Sequence, residues 1–486
     1  MPKNLLNILA CVGCVLLFGW LVWSEDLSWI PFVFGAIALL VLVSARWPIG
    51  GLGVMVLATA VSNFYVELQG WKARPDHLVS FFLLLVLAIR ILLGGFRPFP
   101  ASKFDYLLGG YVLMNYVSSI LMSPARLLSL RWALLTSLVT LPYFLIRWLC
   151  TSYSCLRKVF STVIVVGVLA GGYGISCFLL NQLFGTTLGV QIDKYGPGIP
   201  GTFGTMHDSN NFGIYSATCS VMCLSLYLFG AETGRRRYGM AFLLTSLATV
   251  VSLARGALLA LVVAVVFLGW LAVKRRVLSG RKLARLGLLA CAGVTLAVLA
   301  AGSHVVTRLG IVDPSNLSDG SLVGRIVEDL AALRNIRQHP LLGNGTGSFH
   351  VLFDVAEYPD LFGSFAGQSY DFIDVENVTL RVLHDTGMVG FLLMLAFFLA
   401  LARRVRRIIA GPHKEGFPVV VGLAAAILLE AVAFQFSDDT LMAFGWVHLG
   451  LLVSALAFLE EPVSVRVSSA FDARLVSSSG AAGVAS

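Results

Sequence analysis

Apolar runs long enough to cross a bilayer follow one another along almost the whole chain, with short connections between them. Runs of about 17–25 residues in hydrocarbon must satisfy their own backbone hydrogen bonds, which in practice means helices. Composition agrees: of 486 residues, 57% are hydrophobic and 13% charged, where a soluble domain carries about 25% charged residues. The expected fold is an all-α, polytopic integral membrane helix bundle. Candidate spans are read near 4–23, 27–45, 48–66, 78–95, 104–122, 127–149, 158–184, 209–230, 238–253, 255–273, 284–302, 379–402, 417–436 and 442–459. The pair at 238–273 is short and nearly fused, so about 12–14 spans are expected. The first run is longer than a signal peptide's apolar core and shows no small-residue cleavage site, so it is expected to stay as an uncleaved span.

Residues 1–462 are read as one membrane-embedded domain. It includes a long polar segment, about 303–377, expected outside the membrane. The Ser/Ala/Gly-rich stretch 463–486 is expected to be a disordered cytoplasmic tail. The formal charge of +9 does not point to nucleic acid, because the basic residues punctuate the spans rather than forming a stripe. The eight cysteines lie mostly in apolar runs, and none falls in the polar segment, so no disulfide is expected there. Cys11 and Cys14 have redox-like spacing but sit in the first apolar run and are read as packing residues.

Alternation of sides gives a consistent topology. With the N-terminus and Lys3 in the cytoplasm, the basic clusters fall on that same side. They include Arg147, Arg157 and Lys158; Arg235 to Arg237; Lys274 to Arg276; and Arg403 to Arg407. Three polar elements share the opposite, outer face: the loop 185–208, the turn at Ser252–Arg255, and the segment 303–377.

Arginines on that outer face run against the topology bias. Arg255, between two apolar runs, reads either as a snorkelling side chain at a helix end or as a phosphate ligand, whose oxygens suit a guanidinium fork. Arg325 opens an amphipathic stretch in which Ile326, Leu330, Leu333 and Ile336 recur at helical spacing, predicting a helix lying along the membrane surface. Arg334 and Arg337 fall at i, i+3 and are read as a solvated face or as further anion ligands. The stretch His339-Pro340-Leu341-Leu342-Gly343-Asn344-Gly345-Thr346-Gly347 ends this helix in a flexible turn and lacks the Lys-Ser/Thr of a P-loop. Then come Asp354, Glu357, Asp360, Asp371, Asp374 and Glu376. Such acids are commonly just solvated, but Glu376 stands where the chain re-enters the membrane and is a candidate general base. No tight metal-ligand spacing is present, and no cofactor is expected. Arg381, His384, Asp385 and Glu430, within later spans, either line a cavity or pair with one another.

The order of these features resembles the O-antigen ligase and polymerase superfamily. The matching pieces are Gly201-Thr202-Phe203-Gly204, then Ser209-Asn210-Asn211-Phe212-Gly213. They continue with Ser252, Arg255-Gly256, Arg325 and the His339–Gly345 stretch. Last come Glu376-Asn377 and Leu383-His384-Asp385-Thr386-Gly387-Met388-Val389-Gly390. The resemblance covers roughly the C-terminal half. It implies a metal-independent, inverting glycosyltransferase of the bacterial inner membrane with its site on the periplasmic face. Its donor would be an undecaprenyl-diphosphate-linked oligosaccharide and its acceptor a glycan hydroxyl, with membrane lipid as its surroundings and a chain-length regulator as a further candidate partner. By the same resemblance, Arg255 and Arg325, and after them Arg334 or Arg337, would hold the diphosphate, with Asn210, Asn377 and His339 as additional substrate contacts. Ligases of this family typically show a histidine before the asparagine at the re-entry point, where this chain has Glu376. That departure moves the base role to the carboxylate and favours a polymerase of O-antigen or exopolysaccharide repeat units over a lipid A-core ligase. A flippase for lipid-linked sugars is the alternative from another class.

Overall fold

A computed structural model describes residues 47–63, 66–68, 71–94, 99–192, 200–277, 320–353, 374–412, 415–437 and 442–460. The expected spans near 4–23, 27–45 and 284–302, Cys11 and Cys14, Asp354, Glu357, Asp360, Asp371 and the tail lie outside the described residues.

The described helices are α1 (Pro48–Thr59), α2 (Pro75–Leu92), α3 (Lys103–Leu121), α4 (Arg126–Leu149), α5 (Tyr153–Phe184), α6 (Ser209–Phe229), α7 (Arg235–Val251), α8 (Arg255–Lys274), α9 (Gly320–Gln338), the single turn α10 (Phe349–Leu352), α11 (Val378–Ala410), α12 (Phe417–Ala433) and α13 (Ala443–Glu460). Two short antiparallel ribbons, 66–68 with 71–73 and 190–191 with 201–202, are the strands among these residues. Six helices (α2, α4, α5, α6, α8 and α11) are long and apolar enough to cross a membrane, and α1, α12 and α13 are apolar but shorter. The protein is an all-α, polytopic membrane bundle. Serine, aspartate and asparagine side chains start several helices by accepting free amides of the first turn. Asp208 accepts from the Asn210 amide at 2.6 Å, and Asn377 from those of Thr379 and Leu380 at 3.0 and 3.1 Å.

Of the six span-length helices the most enclosed is α6, with 89% of its most apolar stretch buried. Small residues make that possible: a Cβ on Gly213 would lie 2.5 Å from the Ser252 hydroxyl and 2.8 Å from Ala254. Elsewhere α3 is more polar than a lipid-facing helix because it carries the bundle's internal polar contacts. Near its start the Asp105 carboxylate takes Arg147 at 3.2 Å and the Tyr143 hydroxyl at 2.8 Å. A buried charge persists only when paired and hydrogen-bonded in this way.

The helix tips sort into two ends. At one, the Arg147 guanidinium lies over Phe99, which packs on Phe458. Arg275 donates to the carbonyls of Ile409 and Gly411, and Arg157 stands 3.8 Å from Glu415. Every described basic cluster singled out in the sequence sits at helix tips of this end. At the other end, Thr205 donates to the Ala60 carbonyl at 2.6 Å, the His207 amide to Ser62 at 3.1 Å, and the Val378 amide to the Phe434 carbonyl at 2.9 Å.

Candidate active site

The second end carries the outer-face candidates. Arg325, near the start of α9, donates through Nε to the Glu376 carboxylate. Glu376 is placed by the chain entering α11, whose first amides are capped by Asn377. Behind it runs a connected set of charges. Asp374 takes Arg381 at 2.9 Å and stands 3.7 Å from His350; Arg381 is 3.7 Å from Asp385, which in turn bonds His384 at 2.9 Å. The polar residues of the later spans thus pair with one another rather than standing alone. Glu430 does the same with His448 at 2.6 Å.

Two carboxyls on α9 respond to this setting. Glu328 is pushed up to about 8, chiefly by burial and then by the Glu376 carboxylate, with Arg325 opposing. Asp329 is raised above the ordinary carboxylate value, first by burial and then by Glu376, against Arg325.

Arg255 reaches this end by a tight turn. After α7, Leu253 takes a left-handed conformation (φ 56°), and Ser252 stitches the turn by donating to the Thr249 carbonyl at 2.7 Å and accepting the Ala254 amide at 3.2 Å. A left-handed leucine costs about 1–2 kcal/mol, which the buried turn supplies; the result sets Arg255 at the first position of α8. The turn after α12 is the bridge to Glu376. Phe436 lies against Gly256, while Gln435 accepts from Thr379 at 2.9 Å and Phe434 takes the Val378 amide. The starts of α8 and α11 therefore flank one three-residue turn. Asn210 lies in the first turn of α6, which packs on the Ser252–Ala254 turn at Gly213.

Other candidates are not brought to Glu376. Arg334 and Arg337 are exposed, about 14 and 18 Å further along α9 from Arg325 at 1.5 Å per residue. His339 is exposed past the end of the same helix. Of the apolar stripe of α9, Ile326, Leu330 and Leu333 point outward and Ile336 is half-buried, while Val327, Ala331 and Ala332 are buried against the bundle.

The stretch after α9 differs from the flexible turn expected of so many glycines. Residues 343–349 are buried, and they fill a break in α11. At Gly387 (φ 63°, ψ −166°) α11 loses its helical path. The loop supplies the four missing bonds. The Asn344 and Gly345 amides donate to the His384 and Asp385 carbonyls at 2.7 and 3.2 Å, and the Met388 and Val389 amides donate to the Pro340 and Leu341 carbonyls at 2.9 and 3.2 Å. A break inside an apolar bundle stands only if its backbone groups find such partners. The end of α3 holds the other side: Ser118 donates to the Asp385 carbonyl at 2.6 Å and accepts the Gly345 amide at 3.0 Å, and Thr346 donates to Asn115 at 2.9 Å. Ser118→Ala leaves two buried backbone groups without that hydroxyl and is expected to destabilise by about 2 kcal/mol. Thermal unfolding in detergent measures it, and an unchanged midpoint would remove Ser118 from the joint.

Sequence reasoning missed the role of Glu328, Asn115 and Ser118. For Glu328 the signal was present, since it follows Arg325 at i, i+3; for the α3 residues nothing in their own surroundings pointed to a partner more than 200 positions away.

The described residues form a membrane bundle that gathers Arg255, Arg325 and the re-entry carboxylate Glu376 at one end. Residues 240–395, about a third of the chain, match the family model described as O-Antigen ligase, which supports the resemblance to the O-antigen ligase and polymerase superfamily. The matched stretch holds Arg255, Arg325, Glu376 and both halves of the α11 joint. No curated protein matches the chain.

Proposed function

We propose that this protein is a glycosyltransferase that polymerises lipid-linked oligosaccharide repeat units of O-antigen or exopolysaccharide, working at the periplasmic face of the inner membrane. The observation that carries the reading is the Arg325–Glu376 pair, at the bundle end opposite the basic clusters. By the positive-inside rule those clusters face the cytoplasm. The donor's prenyl chain stays in the bilayer and its diphosphate lies on Arg325 and Arg255. Engaging Arg325 takes the guanidinium from Glu376, whose freed carboxylate accepts the proton of the acceptor hydroxyl. The hydroxyl oxygen bonds to the anomeric carbon as the carbon–phosphate oxygen bond breaks. Configuration inverts and undecaprenyl diphosphate leaves, its growing charge stabilised by the arginines. Glu376, in place of the histidine usual in ligases, favours polymerisation over transfer to lipid A-core.

Purified protein in liposomes with a lipid-linked repeat unit should release undecaprenyl diphosphate and lengthen the glycan. Movement of intact donor without release would mean a transporter. In cells, a null strain should accumulate single repeat units; long lipid-linked polymer would instead mean a ligase.

A further inference from the structure

One turn beyond Arg325, α9 carries a carboxyl that the reaction above leaves unused. Positions three apart share a helix face, so Glu328 stands on the side that Arg325 presents to Glu376. Its Oε2 is closed off from solvent and has no hydrogen-bond partner among the described residues. The charged groups facing it are Glu376 and Asp374 from the chain entering α11, and Arg325 and Asp329 from its own helix. Of these neighbours the one cation is already engaged by Glu376, and Asp374 is held by Arg381. An ionised Glu328 would therefore add an uncompensated negative charge where an anionic substrate must dock. As a neutral acid it is an O–H donor, and phosphate oxygens are acceptors.

We propose that Glu328 serves as a carboxylic-acid donor to the diphosphate beside Arg325, and that its ionisation shuts that anion out of the site. The inference rests on the diphosphate-transferase reading. Burial and the Glu376 carboxylate hold the Glu328 proton up to about 8, so the donor is intact at neutral pH. The sign follows: affinity for the diphosphate is full below that value and falls as pH rises through it.

The test is the KM for undecaprenyl-diphosphate-linked donor, measured from about pH 6.5 to 9.5 for wild type and E328Q. Wild type should show a KM that is flat near neutrality and then climbs about tenfold per pH unit above about 8, with kcat moving less. Glutamine still donates but has no proton to lose, so E328Q should raise KM about threefold at neutral pH and then stay level into the alkaline range. An alkaline climb that survives in E328Q, or a wild-type KM that stays flat, overturns the inference. Should E328Q not fold, wild-type binding of undecaprenyl diphosphate at about pH 7 and 9 decides: weakening supports the donor role and equal affinity overturns it. A wild type that releases no undecaprenyl diphosphate at any pH overturns the transferase reading and this inference with it. An active, pH-indifferent enzyme overturns the inference alone.

Discussion

Arg325→Ala is expected to lower transfer from a lipid-diphosphate donor by about 10²–10³-fold, the effect of removing one charge-stabilising donor from a site where an anion departs. The loss should fall on chemistry rather than on folding. Arg325 and Glu376 are 28% and 40% exposed, and an ion pair so open to water contributes about 1 kcal/mol or less to stability. Arg325→Lys should recover only part of the rate, because an ammonium lacks the two-pronged fork that fits phosphate oxygens. Arg255→Ala should act in the same direction. The measurement is undecaprenyl diphosphate released in liposomes, alongside a thermal melt to confirm folding. Normal turnover by a folded Arg325→Ala protein would remove the arginine from the reaction and the proposed site with it.

Gly343→Ala is the counterpart, with its effect on stability. Gly343 has φ 76°, and a Cβ there would lie 2.6 Å from the backbone of Asp385, Thr386 and Gly387. No side-chain rotation relieves a clash with backbone, so the loop must back away from the break in α11. That costs about 1–2 kcal/mol for the left-handed alanine and weakens four crossing bonds at about 1 kcal/mol each. A loss of about 3–5 kcal/mol is expected, a large share of a typical stability of about 5–15 kcal/mol. The unfolding midpoint in detergent should drop steeply. Gly172→Ala is the control, because nothing lies within 4 Å of a Cβ at Gly172; an equal effect of the two substitutions would sink the argument.

How far the sequence discloses all this depends on the range of the interaction involved. Hydropathy alone gives the helices, since a span is written in consecutive residues. The outward stripe of Ile326, Leu330 and Leu333 and the basic tips of one end are equally local signals. The Arg325–Glu376 contact spans 51 positions and surfaces only through the resemblance, because no spacing rule connects a helix start to a re-entry point. The break at Gly387 is hidden because the span simply runs on from Met388 as an apolar stretch. Its repair by residues 340–345 reads in the sequence as a loose glycine turn, because backbone hydrogen bonds leave no mark on side-chain identity. Glu328 is masked for the opposite reason: inside an amphipathic pattern a carboxylate looks like ordinary polar surface.

The mending of α11 by residues that precede it in the chain has a bearing on biogenesis. Pro340 to Gly345 emerge from the ribosome after their partners on α3 but before the α11 backbone groups they must meet, so their four bonds across the break close only once the span beginning at Val378 has been inserted. Only then is the entry to α11 that carries Glu376 fixed beside Arg325, so a nascent protein threaded partway into the bilayer lacks the proposed site.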